Sequence, residues 1–345
     1  MLHLLLKLPW NIAENAKMDN TETLPIVDLE AFLSGSDDER QNIASRVDDI
    51  CKNIGFLIIE NHGVPHGIKQ NAWKAAKSFF QEPLVEKMKA YPDEKGCPRG
   101  YLPIEGESLG KTLGLETPPD RKETFSIGPL TTPVVAKKDN DFQFFYGDNL
   151  WPDMPEDFKE SWVLYYQSIE KLGANLMELL AVALGLNKDY FVQFHTHQIS
   201  ALRCQSYPKL HKDSLPGQLR AGEHADYGTV TILNPDPMVG GLEVKSKSGA
   251  WIKAPLVQDS FIINIGDMMA RWTNDRWVST LHRVVDPVTD NMGPPAARQS
   301  IAYFMNPNYD AIISAVPTSI QEGEVPKYDP VEAGKYLMGK FSASL

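Results

Sequence analysis

Cysteine is scarce in this chain. Cys51, Cys97 and Cys204 stand far apart in 345 residues, with no C-x-x-C pair. So odd and scattered a set excludes a disulfide framework and a cysteine zinc site, and it points to a reducing, cytoplasmic setting. Positive charge is also thin. The 34 Lys and Arg are outnumbered by 45 Asp and Glu, for a net charge of −11, and they form no long basic run. A nucleic-acid backbone needs a concentrated basic face, so nucleic acid is not an expected partner. Long apolar runs are missing as well. No stretch reaches the roughly 20 apolar residues of a membrane span. The opening MLHLLLKLPW is apolar but short and interrupted by Lys7, without a small-residue cleavage site. Residues 1–23 therefore read as a disordered leader, and no membrane partner is expected.

What is present is ordinary globular material, 42% hydrophobic and 23% charged. The first half reads as largely helical. LPIVDL (24–29) is a short strand. Ile43, Val47, Ile50, Cys51 and Ile54 fall on one helical face that Gly55 ends. A strand over 56–59 and a turn at Asn61-His62-Gly63 follow. A second helical pattern covers about 66–90, with Pro83 as its break. Residues 92–151, rich in Gly, Pro and charge, read as loops of the length that often covers a binding site. Residues 155–187 form the longest helical stretch, stopped at Gly185. From about 199 the texture changes to short β-rich runs punctuated by Gly, Pro and Asn, the spacing of a sandwich or barrel.

The chemistry concentrates in Gly222-Glu223-His224-Ala225-Asp226-Tyr227-Gly228. On a strand, residues i and i+2 share a side, so His224 and Asp226 can aim an imidazole and a carboxylate at one point. His282, in STLHRVV, is the candidate third ligand. Two histidines and one carboxylate on one face leave adjacent open positions, which suits iron(II) binding O₂ and a bidentate co-substrate. Arg298 and Ser300 share a face of the next strand. A guanidinium grips a carboxylate through two parallel hydrogen bonds, and a serine adds a third. Tyr207, in LRCQSYP, offers another hydroxyl.

The ordered set LPIVDL, GFLIIENHGVP, KETFSIG, LRCQSYP, GEHADYGTVTIL, GGLEV, INIGDMMARWTND, STLHRVV and RQSIAYFMNPN resembles the isopenicillin N synthase-like branch of the 2-oxoglutarate- and iron(II)-dependent dioxygenases. The resemblance covers roughly residues 24–310. It implies a mixed α and β fold, a double-stranded β-helix (jelly roll) preceded by a helical N-terminal region. The implied division is the leader over 1–23, the helical region over 24–190, a catalytic core over 191–312 and a covering segment over 313–345. The resemblance places the Fe(II) ligands on His224, Asp226 and His282. The 2-oxoglutarate carboxylate falls on Arg298 and Ser300, with Tyr207 beside it. Gln205 stands where many members carry asparagine near the co-substrate. Tyr101 and Phe304 are carried over as substrate contacts. O₂ is the second co-substrate, and ascorbate the reductant that keeps iron reduced.

The implied activity is oxidation of a small specialised metabolite, amino-acid-derived by preference, with release of succinate and CO₂. Hydroxylation, desaturation and oxidative cyclisation all remain open, as does an oxidase of the same fold that dispenses with 2-oxoglutarate. A monomer is expected. A cationic pocket residue beyond Arg298 would favour a glutamate-like substrate, and a wholly neutral pocket would disfavour it. Other features read as structural. His195 and His197 share a strand face without a carboxylate nearby, His62 is a turn residue, Trp272 and Trp277 pack near the metal strand, and Glu82 to Lys89 form a solvated helix face.

Overall fold

The computed structural model describes residues 23–93, 97–104, 106, 118–134, 140–209, 218–286 and 296–344. Nearly all of the leader, Glu105 and most of the loop after Asp286 lie outside the described residues.

The chain enters through β1 (Ile26–Asp28), α1 (Leu29–Ser34) and α2 (Asp37–Asn53). Each helix start has its cap. The Asp28 carboxylate accepts the Glu30 N–H at 3.0 Å, and Ser36 and Glu39 form a capping box. Gly55 follows α2 with φ +64°, and a Cβ there would lie 2.2 Å from the Val278 carbonyl oxygen. A side chain is excluded twice, by backbone conformation and by the backbone of the connection between α7 and β11. Gly55→Ala is therefore expected to lower unfolding free energy by about 2–4 kcal/mol. Urea denaturation reads this directly, and an unchanged midpoint would refute the close approach.

β2 (Phe56–Glu60) leads into α3 (His66–Gln81), and the chain breaks at Pro83 before the short α4 (Leu84–Lys87). The next stretch departs from the loop expectation. It holds β3 (Gly100–Leu102), β4 (Glu123–Ile127) and α5 (Asn140–Tyr146). These pieces are too short to show a period, and two are tied to the sheet only by partners distant in sequence. The charged run ahead of them is not wholly solvated either. Lys87 is buried, and its ammonium donates to Glu123 at 2.7 Å.

α6 (Phe158–Ala183) is the central helix, with α2 and α3 packed on it. Phe158, Trp162, Tyr165, Ile169, Leu172 and Leu176 are all buried along it, the stripe that an amphipathic helix turns to a core. Although α6 is long, no helix among the described residues is long and apolar enough to cross a membrane.

The β-rich half supplies β5 (Ala201–Tyr207), β6 (Ala221–His224), β7 (Val230–Asn234), β8 (Leu242–Lys245), β9 (Trp251–Lys253) and β10 (Phe261–Ile265). After α7 (Asp267–Trp272) come β11 (His282–Val284), β12 (Arg298–Met305), β13 (Ile312–Ile313), β14 (Val331–Glu332) and α8 (Ala333–Ser344). The major sheet runs β1-β2-β10-β7-β12-β5-β4-β3, and a smaller sheet runs β6-β11-β8-β9. Residues from both line one cavity, so the sheets face each other as in a jelly roll. Four strands of the major sheet precede residue 190, so the helical region also builds the sheet that it covers.

Alternation along β12 separates the faces. Tyr303 turns outward to meet Tyr166 of α6, ring centroids 5.3 Å apart. Arg298, Ser300, Ala302 and Phe304 line the interior cavity. Helices thus seal one face of the major sheet, and the other is left for chemistry.

Candidate metal and co-substrate site

β6 and β11 are antiparallel neighbours, and His224 pairs directly with His282 across them. Their ring centroids lie 4.2 Å apart. Asp226 sits just past the end of β6 rather than within a strand. Its position comes from the turn that follows, where its carbonyl accepts the Asp267 N–H at 2.8 Å. Asp226 Oδ1 lies 3.9 Å from His224 Nε2 and 3.8 Å from His282 Nε2. The three candidate ligand atoms all fall within 4.8 Å of one another.

The surroundings orient each group. The Gly222 carbonyl lies 2.7 Å from His224 Nδ1, and the Thr280 carbonyl 3.2 Å from His282 Nδ1. A carbonyl only accepts, so the proton sits on Nδ1 and the Nε2 lone pair is left for a metal. Asp226 Oδ2 accepts from Thr231 Oγ1 and, at 2.7 Å, from Asn264 Nδ2, which reserves Oδ1 for the centre. Burial, reinforced by His282, holds the His224 imidazole well below the usual histidine range and therefore neutral. Burial pushes the Asp226 carboxyl up, but the two imidazoles and the Thr231 and Asn264 hydrogen bonds outweigh it and keep it ionised. The neutral imidazole of His224 and the ionised carboxylate of Asp226 are the states a metal requires. Nitrogen and oxygen donors on one face fit iron(II).

Asn264→Leu keeps the volume and removes one support of Asp226. Iron(II) affinity is expected to fall about 10- to 100-fold with the fold intact. Competition with a chromogenic chelator measures it, and unchanged affinity would mean that Thr231 alone suffices.

Two adjoining chambers meet at this point. The inner one runs from His224, Asp226 and His282 to Arg298, Ser300 and Tyr207. Arg298 is buried, with Nη1 donating to Ser300 Oγ at 3.1 Å and Nε to the Gly240 carbonyl at 3.2 Å. Its guanidinium lies 5.0 Å from the centre of the Tyr207 ring, and Ser300 Oγ donates to Gln205 Oε1 at 3.4 Å. Burial draws the Arg298 pKa down from its ordinary value, opposed by Tyr207 and Asp236. An arginine remains charged under such a shift, so a buried cation faces the metal ligands across a cavity. The outer chamber is lined by Phe144, Phe145, Leu337 and Phe341, among others. Lys122, Gln205, His224, Asp226 and Phe304 border both chambers.

Tyr101 is not brought to the site. It is fully buried, and its hydroxyl donates to Glu123 Oε2 at 2.7 Å, where Lys87 also donates. A buried carboxylate needs donors, and Tyr101 is one of them. His195 and His197 do not share a strand, since they follow a 3₁₀ turn over Val192–Phe194. His197 also has the carboxylate it was expected to lack, Asp310 at 3.1 Å from Nε2. Burial pulls His195 down to about 4, so it stays neutral. Trp277 packs as expected, its Nε1 donating to Asp48 at 2.8 Å. His62 closes its turn by accepting the Val64 N–H at 3.1 Å.

Several residues at the chambers had drawn no sequence assignment. Arg203 and Lys122 stand in quoted motifs, LRCQSYP and KETFSIG, and period-two alternation back from Gln205 points to Arg203. Leu337 and Phe341 are spaced i, i+4 on α8, a helical signal that does not reveal which cavity it meets.

A jelly roll that presents two imidazoles and one carboxylate beside a buried arginine has the architecture of a mononuclear non-haem iron oxygenase. Comparison with known proteins agrees. Residues 24–154 match the family described as non-haem dioxygenase in morphine synthesis N-terminal, and residues 196–307 match the 2OG-Fe(II) oxygenase superfamily. The chain belongs to the 2-oxoglutarate- and iron(II)-dependent dioxygenases. It is 36% identical over 267 residues to 2-oxoglutarate-dependent dioxygenase thnC of Trichoderma harzianum, covering 76% of this chain and 80% of that one. It is 30% identical to homoarginine-6-hydroxylase 2-ODD-233 of rice, Oryza sativa subsp. japonica, covering 92% and 96%. The crystal structure of a full-length Neurospora crassa protein in complex with alpha-KG superposes at a TM-score of 0.84 and 30% identity, covering 95% of this chain and 98% of that one. The co-substrate in that structure and the names of the relatives favour a 2-oxoglutarate-dependent enzyme over an oxidase that dispenses with it.

Proposed function

We propose that His224, Asp226 and His282 hold iron(II) on one face, and that Arg298, with Ser300 and Tyr207, receives the far carboxylate of 2-oxoglutarate in the inner chamber. The substrate, a small specialised metabolite, occupies the outer chamber against Phe304. The observation that carries this reading is the sharing of Lys122, Gln205, His224, Asp226 and Phe304 by the two chambers. A co-substrate entering from one side and a substrate from the other meet beside the metal ligands His224 and Asp226.

Iron(II) with 2-oxoglutarate and O₂ supplies the oxidising chemistry, which releases succinate and CO₂. The protein's own contribution is placement and shielding. The Nδ1–H groups of the two histidines hold their rings in register, and Asn264 and Thr231 fix the carboxylate. Phe144, Phe145, Leu337 and Phe341 exclude water from the outer chamber. How the substrate lies against Phe304 decides among hydroxylation, desaturation and ring closure.

Anaerobic titration of the iron(II)-loaded protein with 2-oxoglutarate tests the reading. The visible charge-transfer band of the chelate should appear and saturate. Iron binding without a band at saturating 2-oxoglutarate would overturn it. Turnover of the substrates named for relatives, homoarginine among them, belongs to the same series. The three cysteines are free, which supports a cytoplasmic setting, and we take the protein to act as a monomer on small molecules alone. Light scattering after gel filtration checks the monomer.

A further inference from the structure

The pairing of the two ligand strands is interrupted right beside the ligands. His282 on β11 stands opposite His224 on β6, whereas Val284 stands opposite Ala221. Between those pairs β11 advances by two residues and β6 by three, so Gly222 and Glu223 both oppose Arg283. This is a β-bulge, which disrupts the ladder locally and re-aims the side chain beside it. The side chain beside this one is the His224 imidazole.

A residue displaced from a ladder still needs partners for its backbone. The Gly222 N–H donates to Asp120 Oδ1 at 3.0 Å, and the Gly222 carbonyl accepts from His224 Nδ1 at 2.7 Å. Asp120 Oδ2 accepts from Lys122 Nζ, also at 3.0 Å, and both side chains are almost wholly buried. The stretch ahead of β4 carries Asp120, and it runs beside the entry to β6. Gln218 Nε2 donates to the Pro119 carbonyl at 3.0 Å, and the Arg121 N–H to the Leu219 carbonyl at 3.3 Å. Arg121 and Arg220 then share the Asp286 carboxylate, just past β11. The bulge is therefore held by a segment 102 residues earlier in the chain.

We infer that Asp120 is a positioning residue for the metal centre. Its carboxylate fixes the bulged Gly222, and Gly222 fixes the tautomer and aim of His224. The inference rests on the proposed assignment of His224 as an iron(II) ligand, and it extends the support of that ligand one step outward. An Asp120 that merely neutralised Lys122 would need its charge. A positioning Asp120 needs its acceptor oxygen, and that difference can be measured.

The first reading is nitrogen NMR of the histidine rings in the metal-free, full-length protein, with the His224 signals assigned by their loss in His224→Ala. Wild type should hold His224 as the Nδ1–H tautomer, and Asp120→Ala should release it into a mixture of both. The second reading is iron(II) affinity by chelator competition, which should fall about 10- to 100-fold in Asp120→Ala. Asp120→Asn keeps an acceptor oxygen, so it should retain the wild-type tautomer and an affinity within about threefold. The inference is overturned if Asp120→Ala leaves either the tautomer or the affinity unchanged. It is equally overturned if Asp120→Asn loses either, because neutralising Lys122 is then the whole role. Should the alanine variant fail to fold, Asp120→Leu combined with Lys122→Met takes its place, since it removes acceptor and ammonium together at similar volume. The same tautomer mixture is expected there, and a wild-type tautomer overturns the inference. A wild type that binds no iron(II) is a different result, and it would sink the ligand assignment first.

Discussion

His224→Ala should yield a folded protein that binds iron(II) more than about a hundredfold more weakly and shows no measurable 2-oxoglutarate turnover. The two Nε2 atoms converge on one carboxylate oxygen at 3.8 and 3.9 Å, and removing one leaves two donors. Two donors do not define a face, so the metal is lost or sits without its adjacent open positions. The truncation should not unfold the protein. His224 is only part-buried at the end of a short strand, and its own hydrogen bond is to a carbonyl two residues away. Circular dichroism checks the fold, chelator competition the metal, and succinate release the activity. Full activity in this variant would remove His224 from the site.

Arg298→Gln should weaken 2-oxoglutarate by about 100-fold, the loss of a bidentate charge-assisted pair, while iron(II) affinity holds. A stability cost of about 1–3 kcal/mol should accompany it, because Ser300 and the Gly240 carbonyl lose their partner in a buried place. Arg298→Lys separates charge from shape. It keeps the cation and loses the fork, so an intermediate affinity is expected. The anaerobic band titration reads all three proteins. If 2-oxoglutarate binds normally to the glutamine variant and substrate affinity alone collapses, Arg298 anchors the substrate and the chambers have been assigned in reverse.

Residues that carry chemistry were the more legible part of this sequence. A metal centre demands particular side chains at fixed spacing, so His224, Asp226 and His282 stand out before any coordinates exist. Arg298 and Ser300 stand out for the same reason, through the alternation of a strand. The supports were less legible. Thr231 and Asn264 sit in ordinary strand segments, and only the pairing of β7 with β10 brings both to Asp226. Tyr101 shows the converse. Its motif position suggested a pocket, whereas burial of Glu123 recruits it into a buried ion network. β3 and β4 were hidden because a strand of three to five residues leaves no period to detect. β3 pairs with β4, and β4 is joined to the sheet by β5, about 80 residues later in the chain. Legibility therefore followed the range of the cause: local chemistry and local periodicity could be read, and contacts made by chain-distant strands could not.

β2 lies between β1 and β10, and β10 joins it to the rest of the major sheet. On a ribosome adding 5–20 residues each second, the wait between completing Glu60 and emitting Phe261 is roughly 10–40 s. Until then β2 has only the three residues of β1 beside it, and one apolar edge stands open. A nascent chain in that condition is vulnerable to pairing with the wrong strand, and its high contact order slows the closing step. The helices over 37–81 and 158–183 can form early, but the sheet they cover cannot. The strand pairing that completes β2 is therefore made late in synthesis, about 200 residues after β2 itself has emerged.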